Sequence, residues 1–197
     1  MRHALDADHV VAVTAILSRE RSLRKAVRVG AWWGAGHSAT ILCMGGAIVL
    51  FRLAIAPRVA LALEFIVALM LIGIGLVSLA RARDESASPA LPPLVVGVIH
   101  GLAGTAAVAL LVLAAIPDPW DGLVYLLVFG LGTVAGMVAV TAAIAGPALA
   151  ASHRIPTMRR TIRVGAGIVS LAFGLWLAGD IGIARGLFGS APVWSAE

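Results

Sequence analysis

The chain has 197 residues, 60% of them hydrophobic and only 13% charged, with a net charge of +5. That is about half the charged share of an ordinary soluble domain, too little to cover a water-facing surface, so much of the apolar surface must face lipid. The basic residues fall in short connections between apolar runs, which points to membrane topology and away from nucleic-acid binding.

The first apolar run, about Ala4–Ser18, is too short to span a bilayer alone, and it begins within the polar cluster His3-Ala4-Leu5-Asp6-Ala7-Asp8-His9. These interruptions leave no hydrophobic stretch of the kind a signal peptide needs. Five longer runs follow, roughly Val29–Phe51, Val59–Ala80, Leu94–Ile116, Leu123–Ala151 and Ile162–Ala184. Each reaches the roughly 20 residues that a membrane-spanning helix requires. The runs are continuous and not alternating, so helices are expected and strands are not. The expected fold class is all-α: a polytopic transmembrane bundle of about six helices, the first one short, forming a single domain over 1–197.

The connections set the orientation. Loop 19–28 carries Arg19, Arg21, Arg24, Lys25 and Arg28; loop 81–93 carries Arg81 and Arg83; loop 152–163 carries Arg154, Arg159, Arg160 and Arg163. These three loops share one side if each run crosses once, and that side is expected to be cytoplasmic. Both termini then face outward.

A weak internal repeat divides the chain into a first three-helix half, 1–80, a cytoplasmic linker, 81–93, and a second three-helix half, 94–184. His3-Ala4-Leu5 aligns with His100-Gly101-Leu102, and Gly73-Ile74-Gly75-Leu76 with Ala172-Phe173-Gly174-Leu175. Halves of three helices must be inverted relative to each other, a plan that secondary transporters use with the binding site near the midplane. The pairs Gly30/Gly34, Gly97/Gly101 and Gly132/Gly136 have the spacing that lets helix backbones approach, and helix packing is their expected role.

The polar residues carry the functional signal. Charged groups in lipid cost about 2.5–3.5 kcal/mol each even on insertion scales, so they need partners or a purpose. His3, Asp6 and His9 are three residues apart and stay near one helix face, while Asp8 lies further round and could hold a histidine ring as an acceptor. His37 and His100 sit inside the second and fourth helices, about eight and six residues into their apolar runs. The ordinary reading of each is an N-terminal cap or a satisfied packing histidine; together they favour a shared site. Imidazoles with carboxylates suit nickel, cobalt, zinc or iron, whereas all-oxygen sites suit magnesium or calcium. Glu64 and Asp180, toward the outer ends of their helices, could draw cations in, although interfacial placement without a role is the plainer reading.

Rival classes fare worse. Five histidines are too few for a membrane di-iron oxidase, and Cys43 is the single cysteine, so no thiol-redox pair or thiolate cage can form. No enzyme activity is expected. A small-solute exporter of the amino-acid type, with a similar helix plan, is the serious alternative.

The motif His3-x4-Asp8-His9, within Arg2-His3-Ala4-Leu5-Asp6-Ala7-Asp8-His9-Val10, resembles the signature of the nickel/cobalt transporter family, especially its small six-helix urease-accessory or high-affinity nickel permeases. Gly36-His37-Ser38 resembles that family's second motif, and Ile99-His100-Gly101-Leu102-Ala103-Gly104-Thr105 the opening of the second half in small members. The resemblance implies that His3, Asp6, Asp8 and His9 contribute to metal selection and passage, with His37 lining the path; His100 joins them on its position within the membrane. The family carries an apolar stretch ahead of the first motif, whereas Met1-Arg2 stands there in this sequence, so the first helix is expected to be a half-span or the chain to begin late.

The implied function is a multi-pass permease of the cytoplasmic (inner) membrane that moves Ni2+ or Co2+, with no permanently bound cofactor and no nucleic-acid partner. Its partners are the lipid bilayer and the divalent ions; a homo-oligomer, or a metalloenzyme-assembly partner in a nickel-delivery role, stays open. Loop 81–93 has no histidine-rich stretch, which leans toward import.

Overall fold

The computed structural model describes residues 7–18, 20, 22–82, 84, 91–154 and 158–194. They form six helices and no strands among the described residues. Helix α1 is Ala7–Leu17. Helix α2, Leu23–Phe51, runs through a π-helical turn at Ile41–Gly45. Helices α3, Pro57–Ala80, and α4, Pro93–Ala115, each begin on a proline, whose fixed φ and missing N–H suit the first helical position. Helix α5 is Pro119–Arg154, with Pro147 inside it. Helix α6, Met158–Gly179, ends in a second π-helical turn at Asp180–Ala184.

Among the described residues, four stretches are long and apolar enough to cross a membrane, Leu23–Phe51, Pro57–Ala80, Pro119–Ala151 and Arg160–Ala184. Large apolar side chains such as Phe51, Leu131, Ile168 and Trp176 stay exposed along them. In water this would be an unusually apolar surface; around a bundle of this length it is the lipid-facing one. The chain is a multi-pass membrane protein.

Several boundaries differ from the sequence expectation. Helix α2 starts six residues before Val29, because the Ser22 side chain accepts the Lys25 N–H at 3.3 Å and caps the helix. Arg24, Lys25 and Arg28 therefore ride on its first turns instead of a loop. Helix α5 continues to Arg154, and α6 begins at Met158, so Arg160 and Arg163 lie on α6 itself. Long basic side chains can lie along a helix end and still reach the membrane surface, which lets helix replace loop there.

The most extensive packing joins α3 to α6, and α2 to both α4 and α5. Close approach is decisive at two glycines. A Cβ on Gly97 would stand 2.1 Å from the Trp33 carbonyl oxygen, and one on Gly75 would stand 2.7 Å from the Leu171 nitrogen. Gly132, by contrast, faces open space, so the packing role expected for it is not seen among the described residues. Between helices, Ser38 Oγ donates to the Gly130 carbonyl at 2.8 Å and Ser170 Oγ to the Leu71 carbonyl at 2.8 Å. Such short polar links replace the hydrophobic driving force that lipid cannot supply. Buried Arg163 donates to the carbonyls of Ala82, at 3.0 Å, and Asp84, at 3.2 Å, tying the start of α6 to the end of α3.

Candidate metal centre

Helix α1 brings its polar first turn into the interior of the bundle. Leu17, Ser18 and Glu20 border one cavity, and Glu20 borders another with Lys25, Arg28 and Pro93, so α1 ends, and α2 and α4 begin, at the same end of the molecule. At 1.5 Å per residue Asp8 then lies about 14 Å in from Leu17, and His100 about 10 Å in from Pro93. In a hydrocarbon core of about 30 Å this is close to the middle. His37 lies deeper along its helix than its apolar run suggested, because α2 begins at Leu23.

Three of the expected residues converge. Asp8 Oδ1 accepts the His9 backbone N–H at 2.9 Å and stands 3.1 Å from His9 Nδ1. The other oxygen, Oδ2, stands 3.4 Å from His100 Nε2. One ligand atom from each of Asp8, His9 and His100 can be chosen so that all lie within 4.8 Å of one another. Nitrogen and oxygen ligands at about 2.0–2.2 Å from a tetrahedral dication lie roughly 3.3–3.6 Å apart, so a closure of up to about 1 Å would bring the set to bonding distance.

His37 packs its ring against His9 edge to face, with centroids 5.4 Å apart, and stands outside the group of three. The His9 and His100 rings are 4.6 Å apart. His9 and His100 are 2% exposed and His37 is fully buried. His3 and Asp6 lie outside the described residues. Asp8, expected as an acceptor for one histidine, reaches two, on different helices.

The neighbourhood follows from the α2–α4 crossing. Gly97 and Gly101 lie against the backbone of Trp33 and His37, which leaves no room for side chains between the helices and sets the Trp33 ring beside His100. The sequence reading missed Trp33. Its ring stacks on His9 at 5.9 Å and 9°, and lies 5.4 Å from His100. Trp33 stands four residues before His37, on the same helix face, and that spacing was the available signal. A tryptophan face beside a cation site supplies quadrupole attraction and excludes water.

Trp33 Nε1 and His100 Nδ1 are buried with no hydrogen-bond partner among the described residues. Buried polar atoms are normally satisfied, so such orphans mark a place where a polar guest fits. Two imidazoles and a carboxylate beside an aromatic wall form a borderline donor set, suited to late first-row dications.

The chain is similar to the urease accessory protein UreH of Bacillus sp. (strain TB-90), at 33% identity over 95% of this chain and 90% of that protein. It is also similar to two Arabidopsis thaliana proteins, Chloroplast protein FOR GROWTH AND FERTILITY 1 and 2. The first is 27% identical over 88% of this chain and 54% of its own length; the second is 26% identical over 88% of this chain and 52% of its own length. The chain thus spans about half the length of each of the two plant proteins. No family model matches it, and no solved structure does.

Proposed function

Since this chain belongs to the family of the urease accessory protein UreH, we propose that it is a permease of the cytoplasmic membrane that carries nickel or cobalt inward through the Asp8–His9–His100 cluster. One observation carries the reading: two buried imidazoles and a half-buried carboxylate, from two helices, meet near the middle of the bundle. Charged and polar groups are expensive there, and replacing a cation's water shell gives them a purpose. His37 and Trp33 line the cluster, and His3 and Asp6 contribute to metal selection and passage. The halves 1–80 and 94–184 act as inverted repeats that rock around the site; the pairing of α2 with α5 and of α3 with α6 suits that plan. A dication entering a negative interior gains roughly 4.6 kcal/mol per 100 mV, enough to drive uptake without a further energy source.

A second reading is favoured by the accessory role in the relative's name: the protein hands nickel to a metalloenzyme-assembly partner. Uptake in cells lacking any such partner supports the permease reading; uptake that depends on the partner supports delivery.

Trp33 provides a direct test of binding. Adding Ni2+ to the purified protein should quench part of its tryptophan emission saturably, with half-saturation below about 1 mM. Trp33→Phe should remove that component while equilibrium dialysis still finds bound nickel. Absence of saturable Ni2+ and Co2+ binding below that concentration, by both methods, rejects the metal site.

A further inference from the structure

Beyond the histidine cluster, the bundle holds a second carboxylate bordering the same cavity. A cavity of about 260 Å³ is bordered by Asp8 at the cluster and by Glu64 of α3, with Val67, Phe173 and Leu177 among its walls. Glu64 lies seven residues past Pro57, about 10 Å in from the end of the molecule opposite the basic connections. The two carboxylates thus share one apolar-walled space, one at the middle of the bundle and one nearer that opposite end. Apolar walls cannot replace a cation's hydration, so any ion in this space depends on these carboxylates.

The Glu64 carboxylate holds a cation in the structure. Arg185 donates from Nη1 to Oε2, and Trp194 Nε1 donates to Oε1 at 2.7 Å. Both partners come from the stretch after the π-helical turn of α6. That stretch reverses at Gly186, whose φ of +74° suits glycine, and closes with the Val193 N–H on the Arg185 carbonyl at 2.9 Å. Leu187 packs with Leu61 and Ile181, Phe188 meets Phe65 edge to face at 5.3 Å, and Arg58 donates to the Gly189 carbonyl at 2.7 Å. The stretch is a folded cap on the α3 end of the cavity. Glu64 and Arg185 remain 24% and 26% exposed at their side chains, so the pair is open to exchange with ions from solution.

We propose that Glu64 is a second cation station, on the outer approach to the Asp8–His9–His100 cluster, and that Arg185 occupies it as a tethered cation which an incoming dication displaces. The station rests on the permease reading and adds to it the step by which the ion is first captured. A dication attracts the carboxylate with twice the charge of the guanidinium, and the low-dielectric surroundings enlarge that advantage. Once the ion moves on to Asp8, Arg185 returns and closes the approach behind it.

Glu64→Gln and Arg185→Gln separate this role from a structural clasp. Both substitutions break the same ion pair, so a clasp predicts parallel effects; a station predicts opposite ones. Radiolabelled Ni2+ uptake is measured in cells against nickel concentration, normalised to the amount of protein in the membrane. Glu64→Gln should raise the half-saturating concentration about ten-fold or more, the scale on which a charged cleft concentrates its ion. Arg185→Gln should lower it, because the competing cation is gone. Shifts in the same direction, or no shift in either variant, overturn the station while leaving the permease intact. If Glu64→Gln does not accumulate, Arg185→Gln decides alone: a lowered half-saturation supports the station, and an unchanged or raised one overturns it. Absence of uptake by the wild-type protein overturns the permease reading, and the station falls with it.

Discussion

Replacing His9 by alanine is expected to abolish nickel uptake while the protein still accumulates in the membrane. The His9 ring is the hub of the cluster. It contacts the Asp8 carboxylate and packs against the rings of His37, His100 and Trp33. Truncation removes one of three converging donors and strips Asp8 of one of its two imidazoles. Loss of a group that merely orients a ligand costs about 10–100-fold in metal affinity or activity, so loss of a ligand should cost at least about 100-fold. The fold should tolerate the change better, since the apolar core extends through α1, α2, α3 and α5 well beyond this residue. Radiolabelled nickel uptake, normalised by immunoblot, checks the prediction. Uptake unchanged at equal protein would reject the cluster as the path.

The second large effect is structural. Gly97→Ala is expected to prevent α2 and α4 from closing, because its Cβ would stand 2.1 Å from the Trp33 carbonyl oxygen and 2.9 Å from the His37 nitrogen. Both obstacles are backbone, so no side-chain rotation relieves them and the helices must separate. The cost should reach or exceed the top of the roughly 1–3 kcal/mol typical of overpacking. Separation would also pull Trp33 away from His100 and loosen the packing of Trp33 and His37 on His9, so nickel binding should fall with stability. Gly132→Ala is the control, because nothing lies within 4 Å of the position its Cβ would take. Thermal unfolding in detergent should show a marked drop for Gly97→Ala and none for Gly132→Ala. Equal melting of the two variants would contradict the tight α2–α4 crossing.

The helix bundle was legible because a bilayer imposes one strong constraint, a continuous apolar run of sufficient length, and the runs from Val29 to Ala184 obey it. Helix starts were less legible. Hydropathy places a boundary where charge appears, yet helix geometry continues wherever a cap allows it, as Ser22 shows by starting α2 ahead of Arg24 and Arg28. The polar residues of the candidate centre stood out in the sequence because ionisable groups inside lipid are costly. Their partners did not. Which histidine meets which depends on the angle and depth at which α2 crosses α4, and that is fixed by backbone contacts at Gly97 and Gly101. Trp33 looked like any apolar core residue until its ring was seen on His9. Glu64 read as an interfacial carboxylate, because no local pattern announces that the chain returns 121 and 130 residues later to hold it.

The central claim is that imidazole nitrogens and a carboxylate oxygen take over the coordination shell of a dication in the middle of the bundle. X-ray absorption at the nickel edge, on purified protein loaded with one equivalent of Ni2+, tests this most directly. The wild-type spectrum should show a mixed nitrogen and oxygen shell with the outer-shell scattering of two imidazoles, and His9→Ala should lose one of them. An all-oxygen shell, identical in the two proteins, would contradict the account.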